Sequence, residues 1–314
     1  MAGAEKQKIL VIKTGALGDF IQALGPMRAI RTHHPEAEIT LLTTPPFAGF
    51  GKACGYFDHI LIDPRPAWHD VPGWLRWRRT LLRGNFSRVY DLQNNDRTAF
   101  YLRLFGWRKP EWVGAARGAS HRNASEQRTA GQAFDGHVQT LALAGITNIA
   151  VDDMSWISGD ISGFKIMEPY ILLVPGCAPA HPEKRWPAER YGALARLLSG
   201  RGFKTVVIGT ADDAQAAEII CRAHADAVNL TGRTSLSDIV LLARRAAGAF
   251  GNDTGPMHMI AATGCPVWVF FSRTTDPLRH APKGNAVKII RKYDLNDLSV
   301  DEAVEGLKTR DFRI

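Results

Sequence analysis

The sequence predicts an α/β protein made of two tandem domains, each a parallel sheet covered by helices on both faces. Three observations carry this. At 314 residues the chain has the length of two domains of roughly 100–200 residues each. Its strand candidates are almost continuous apolar runs rather than alternating ones, which is the pattern of strands buried on both faces. These runs alternate with helix-period segments in two separate series.

In the first series, KILVI (8–12) is an apolar run that ends in a glycine-containing turn. A helix follows over 20–31, where Phe20, Leu24, Met27 and Ile30 recur at helical spacing. Strands are then expected at 38–43, 59–63, 88–92 and 111–115, with helix-like segments between them. The polar stretch 115–129 has no period and reads as a long loop, followed by a helix over 131–145. Residues 147–169 mix Gly and Ser without periodicity and suggest a linker. The second series expects strands at 170–176, 204–209, 227–232, 247–252 and 266–271. Helices are expected at 187–199, 213–224, 235–247 and 256–263. The domains are therefore placed at 1–155 and 169–314 with a linker at 156–168, and the last helix is expected to pack back on the first domain. Two such domains facing a central cleft would gather ligands at the C-terminal ends of their strands.

Composition narrows the classes. The chain is 45% hydrophobic and 22% charged, ordinary for a globular protein with a sizeable core. No apolar run reaches the roughly 20 residues that span a bilayer. The apolar run Ile9–Ile12 is too short for a secretory signal, so a cytoplasmic location is expected. Cys54, Cys177, Cys221 and Cys265 are scattered without metal-ligand spacing and read as reduced structural thiols. The formal net charge of +8 suits an anionic partner. No RNA- or DNA-binding motif is present, so nucleic acid is not the expected one.

Three strand ends carry the chemistry. The first, KTGALGDF (13–20), has Gly15 and Gly18, which allow close backbone approach, but neither GxGxxG nor GK[ST]. That counts against a dehydrogenase and a P-loop NTPase. Asp19 has two readings: a helix cap in a capping box with Gln22, the commoner use of such an Asp, or a general base at a cleft wall. The second, PGCAPAHPEKRWPAER (175–190), sets Lys184 and Arg185 beside Trp186 on a loop containing Gly176, before a helix expected to open at Pro187. Cations at such a loop suit a diphosphate, while a solvated basic turn with Trp186 plugged into the core fits equally well. The third, NDTGPMH (252–258), opens a helix at Gly255-Pro256 with Thr254 or Gly255 as cap. Its unpaired N–H groups form an anion site to which His258 could add a donor. A structural cap explains Thr254 and Pro256 well and Asp253 less well. Asp212-Asp213 reads as a helix-start feature, not a DxD metal motif.

Taken together, these segments resemble glycosyltransferase family 9, the lipopolysaccharide heptosyltransferases of the GT-B fold. ILVIKTGALGDF resembles the family's opening strand and LGD turn, and YDLQ (90–93) its DLQ signature. PGCAPAHPEKRWP is similar to its KRWP segment, and NLTGRTSLSDIVLLARRAAGAFGNDTGPMH to its donor-site block. The four occur in the family's order along nearly the whole chain. The resemblance implies two Rossmann-like αβα domains facing a cleft, and inverting transfer of a sugar from a nucleotide-sugar without metal or other cofactor. The donor is expected to be ADP-heptose and the acceptor the anionic inner core of lipopolysaccharide, at the inner face of the inner membrane. Asp19 falls on the family's general base, which makes it both cap and base here. Lys184 falls on the phosphate-contacting lysine, and Gly18, Gly176, Arg185, Asp253, Thr254, Gly255, Pro256 and His258 on the donor site. Several relatives carry hydroxyl residues in the loop before this lysine, whereas Ala178–Pro182 has none.

The acceptor side is expected to involve Gln93, Arg97, Arg76 and Arg79. The stretch 66–86 interleaves Trp68, Trp74 and Trp77 with Arg76, Arg78, Arg79 and Arg83. It suits a phosphorylated lipid or membrane surface. Packing of Trp74, Trp77 and Leu81 on the core would explain the tryptophans as well, with the arginines exposed in either case. Another nucleotide-sugar as donor, a sugar-nucleotide epimerase and a non-catalytic sugar-nucleotide-binding protein are the competing readings.

Overall fold

The computed structural model describes residues 6–305. It divides into two compact units, Met1–Asp152 and Asp153–Ile314.

The first unit runs β1 (Lys8–Ile12), α1 (Leu17–His33), β2 (Glu38–Thr43), α2 (Pro45–Ala53), β3 (His59–Ile62), α3 (Val71–Arg83), β4 (Arg88–Asp91), α4 (Asp96–Leu104), β5 (Glu111–Gly114), β6 (His121–Arg122) and α5 (Ala133–Ala142). Its six strands are all parallel in the order β3-β2-β1-β4-β5-β6. Leu10, Ile12, Leu42 and Val89 form a core with Trp112, Tyr101 and the inner face of α3, Trp74, Trp77 and Leu81. The tryptophans of α3 at 74 and 77 are thus core residues, as the packing alternative held. Arg76, Arg78, Arg79 and Arg83 are exposed on the same helix.

The second unit runs β7 (Tyr170–Val174), α6 (Ala188–Gly200), β8 (Lys204–Val207), α7 (Ala214–Ala223), β9 (Val228–Asn229), α8 (Leu236–Arg245), β10 (Gly248–Asn252), α9 (Gly255–Ala262), β11 (Val267–Phe271), α10 (Pro277–His280), β12 (Val287–Arg291) and α11 (Val300–Ala303). Its parallel order is β12-β11-β10-β7-β8-β9. Along β7 the side chains alternate between two cores. Ile171 and Leu173 join Phe250, Phe270 and Tyr191 on one face. Tyr170, Leu172 and Val174 join Ala249, Met257 and Ile260 on the other. Both faces are therefore dry, which is why the strand reads as an unbroken apolar run. Each fully buried Leu, Ile or Phe adds about 1.5–3 kcal/mol.

Residues 156–168, expected as a linker, lie against the second unit. Arg244 donates to the carbonyls of Ile157 (2.6 Å) and Met154 (2.5 Å), and Arg245 pairs with Glu168 at 2.6 Å. Two strands were missed. β6 falls within the expected loop 115–129 and is only two residues long, too short to show a period. β12 is an edge strand interrupted by Lys288, so its apolar run is broken. α11 packs on α6 of its own unit through Ala303 and Val304. Residues 306–314, which include the remainder of the expected returning last helix, lie outside the described residues.

The strand orders matter for function. In each unit the order reverses at one place, between β1 and β4 and between β7 and β10. Loops leaving the two adjacent strands there depart in opposite directions and open a crevice at the carboxyl ends, where ligands of open α/β sheets bind.

Candidate active site

In the second unit the β7 and β10 ends are joined by one buried side chain. Asn252, fully buried, accepts the Trp186 N–H at 3.0 Å and the Tyr191 hydroxyl at 3.0 Å. Its amide donates to the Pro175 carbonyl at 2.7 Å. It therefore ties the turn after β7 and the Lys184–Trp186 loop to the end of β10. Trp186 is plugged into the core, with its indole N–H on the Leu298 carbonyl at 2.8 Å. This fixes the backbone from which Lys184 and Arg185 project.

Lys184 is not a solvated surface cation. Its Nζ lies 2.8 Å from Asp253 Oδ2, and that oxygen also accepts the Thr275 hydroxyl at 2.8 Å. Asp253, the residue capping explains less well, is thus the resident counter-ion of Lys184. Arg185 is committed to the turn after β7: it donates to the Cys177 carbonyl at 2.6 Å and lies 3.3 Å from Asp213 Oδ1. Asp213 Oδ2 in turn accepts the Thr210 N–H and hydroxyl, so the Asp212-Asp213 pair is a helix-start device. Gly176 is required by this arrangement, because a Cβ there would sit 2.3 Å from Asp213 Oδ2. Burial pushes the neighbouring Cys177 thiol up, which keeps it protonated beside the two cations.

α9 begins at Gly255 with Thr254 as its N-cap, and no side chain caps it. Thr254, Gly255 and Pro256 are half-exposed. Pro256 has no N–H and the Met257 N–H donates to the Thr254 carbonyl at 3.1 Å, so this end of the eight-residue helix offers the Gly255 N–H and the helix dipole, next in the chain to Asp253, the partner of Lys184. His258 is buried within α9. α6 starts at Ala188, so Pro187 is its cap residue and not its first helical position. The loop Ala178–Pro182 is exposed.

In the first unit the β1 and β4 ends are stitched in the same way. Lys13, almost fully buried, donates to the Leu92 carbonyl at 3.2 Å. The Thr14 N–H donates to Gln93 Oε1 at 2.9 Å, and the Thr14 carbonyl accepts the Thr44 hydroxyl at 3.0 Å. Asp91 Oδ1 accepts the N–H groups of Gln93 (3.0 Å) and Asn94 (2.8 Å), which shapes the loop that presents Gln93. Burial pushes the Asp91 carboxyl up to about 6 against these bonds and the Lys13 charge. Burial likewise lowers Lys13, against the attraction of Asp19 and Asp91. Gly15 has φ +132°, a conformation that L side chains rarely adopt, so the turn into α1 needs a glycine there.

The capping reading of Asp19 is wrong. α1 opens at Leu17 with Ala16 as its N-cap, and no side chain caps it. Asp19 is the third helical residue, past the position from which a carboxylate reaches the orphan N–H groups. Gln22 is used elsewhere, with Oε1 accepting the buried Phe134 N–H at 3.0 Å from α5. Asp19 is half-exposed beside Gly18 in the first turn of α1.

The other acceptor-side candidates separate. Arg97 stacks over Trp68 (5.0 Å) and Trp74 (5.5 Å) and donates to the Pro66 carbonyl at 3.2 Å. It is thus held by Pro66 and Trp68 of the loop before α3 and by Trp74 of that helix. Arg76 and Arg79 are exposed on α3. Among the described residues no three His, Cys, Asp or Glu side chains converge as metal ligands would.

A model of glycosyltransferase family 9 (heptosyltransferase) matches residues 74–305. The chain belongs to this family. It is a glycosyltransferase, with two parallel-sheet, Rossmann-like units of the GT-B type. Lipopolysaccharide heptosyltransferase 2 of Salmonella typhimurium is 25% identical over 91% of this chain and 89% of its own. Lipopolysaccharide heptosyltransferase 2 of Escherichia coli is 33% identical over 44% of this chain and 41% of its own. The structure of E. coli ADP-heptose lps heptosyltransferase II shares the fold at a TM-score of 0.73, with 21% identity over 95% of this chain and 97% of that one.

Within this glycosyltransferase, sequence reasoning missed Asn252, Tyr191 and Thr275, and it read Asp213 as a helix-start feature without its pairing to Arg185. Asn252 was visible as a polar residue ending an apolar strand. Thr275 lies 22 residues from its partner Asp253, and nothing in the local sequence links them.

Proposed function

We propose that this glycosyltransferase moves a heptose from ADP-heptose to the inner core of lipopolysaccharide, with inversion at the anomeric carbon and without a metal ion. The observation that carries the reading is the pairing at the second switch point: an anchored, partly buried Lys184 beside the uncapped N-terminus of α9. That pairing suits a diphosphate, and the relatives named for lipopolysaccharide heptose transfer support the sugar and the acceptor.

The chemistry follows from the charges. Asp19 accepts the proton of an acceptor hydroxyl as its oxygen attacks the anomeric carbon on the face opposite the nucleotide. The bond from that carbon to the diphosphate oxygen breaks, and ADP leaves. Positive charge develops on the sugar and negative charge on the diphosphate. Lys184 and the Gly255 N–H stabilise the latter, and because both are held by the fold little reorganisation is needed. Lys184 must then share itself between Asp253 and the phosphate, and Thr275 keeps Asp253 in place as it does so. Arg185, Asp213 and Gly176 shape the turn beside the phosphates. Gln93 holds the turn that leads to Asp19. Work at the cytoplasmic face of the inner membrane fits the inner-core acceptor, and among the described residues no helix is long and apolar enough to cross a membrane.

The test is transfer from ADP-heptose to a deacylated inner-core acceptor in the presence of EDTA, with the product anomer read by NMR. Inverted heptosyl product is expected. Dependence on added metal, retained configuration, or transfer only from a different nucleotide-sugar would each overturn the corresponding part.

A further inference from the structure

One surface of the first unit has no part in the chemistry above. α3 turns Trp74, Trp77 and Leu81 inward and leaves Leu75 (51% exposed) and Val71 (62% exposed) outside, beside Arg79 and Arg83. Trp68, just before the helix, is 61% exposed. The loop after α4 adds Trp107, which is 86% exposed, with the Arg108 guanidinium 4.9 Å from its ring centre. The two parts adjoin: Arg78 reaches to 3.9 Å from where a side chain on Gly106 would begin. Over residues 70–111 the sequence has nine Lys and Arg and four carboxylates, of which Asp91 is buried, Asp70 caps α3 and Glu111 pairs with Arg88. A scattered apolar residue on a surface needs no explanation, but here apolar side chains lie among an excess of cations.

We propose that the outer face of α3 and the Trp107–Arg108 loop dock this unit on an anionic bilayer. Trp and Leu suit the headgroup boundary, where an apolar body enters and a polar edge stays wet. Arginines suit the negative surface, each strengthening binding by about fivefold. The charge imbalance selects an anionic membrane over a neutral one. The proposal does not depend on the sugar donor, since it concerns side chains with no role in the transfer.

The test is cosedimentation of the full-length protein, without donor or acceptor, with vesicles of equal parts phosphatidylglycerol and phosphatidylcholine. Binding is expected that weakens with salt and is lost on pure phosphatidylcholine. Arg83→Ser with Arg108→Ser should lower the partition coefficient by about 25-fold, and Trp107→Ser should lower it severalfold. All three substitutions are at exposed sites, and transfer to a water-soluble acceptor should be unchanged. Equal binding to neutral vesicles would overturn the proposal, as would variants that bind like wild type. Displacement of the vesicles by acyl-free glycerophosphoglycerol, or tighter binding to an RNA oligomer, would also overturn it by showing that a soluble anion is the partner.

Discussion

Replacing Asn252 with Leu removes the side chain that joins both donor loops to β10. Leu has nearly the same size, so no large cavity is created and the cost lies in lost hydrogen bonds. Three buried groups lose a partner: the Trp186 N–H, the Tyr191 hydroxyl and the Pro175 carbonyl. The Tyr191 hydroxyl keeps the Val174 carbonyl at 3.3 Å, so two groups are left fully unpaired. At about 1–3 kcal/mol for each orphaned group, the loss is about 2–6 kcal/mol. That is a large part of the roughly 5–15 kcal/mol that holds a typical protein folded. Urea unfolding followed by tryptophan fluorescence should show the loss, because Trp186 reports on this core. Calorimetric titration with ADP below the unfolding transition should show weaker binding, since the loop that carries Lys184 is no longer fixed. A variant within about 1 kcal/mol of wild type, with unchanged ADP affinity, would refute the idea that Asn252 organises the donor loops.

Other substitutions probe the same network. Thr275→Val should raise the KM for ADP-heptose severalfold with a smaller change in kcat, and Thr275→Ser should restore it, as steady-state kinetics can check. Gly176→Ala should drive the turn after β7 away from Asp213, lowering the melting temperature and the shift in it that ADP produces. Asp91 gives a pH signature. Its folded pKa, about 6, is above the ordinary value of 3.8, so its contribution to stability is full below the latter and is lost as pH rises through 6. Compared with Asp91→Asn, wild type should therefore lose about 3 kcal/mol between pH 3.5 and pH 7, read from urea midpoints. A difference that does not vary with pH would contradict it.

Much of the architecture was legible because strands buried on both faces are unmistakable. β1, β2, β7, β10 and β11 read as apolar runs because each sits inside its sheet. The elements that were missed, β6 and β12, lie at sheet edges, where burial is partial and the run is short or broken. The helix starts were less legible. Asp19 looks like a cap, but α1 begins two residues earlier on a backbone whose glycine turn needs no side-chain cap. The second donor loop was open to two readings, and both hold in part: Trp186 is plugged into the core, while Lys184 is paired and not solvated. What could not be read were partners distant in sequence. The Thr275–Asp253 and Gln93–Thr14 bonds depend on which strands neighbour each other, and strand order is not written locally.

The most direct test of the central claim compares heptosyl transfer by wild type and Asp19→Asn at saturating ADP-heptose. The exchange keeps the size of the side chain and removes its basicity. The account predicts a loss in kcat of about 10²–10⁴, the usual contribution of a general base, with ADP-heptose affinity nearly unchanged. Wild-type kcat in the variant would mean that Asp19 takes no proton and that the base lies elsewhere.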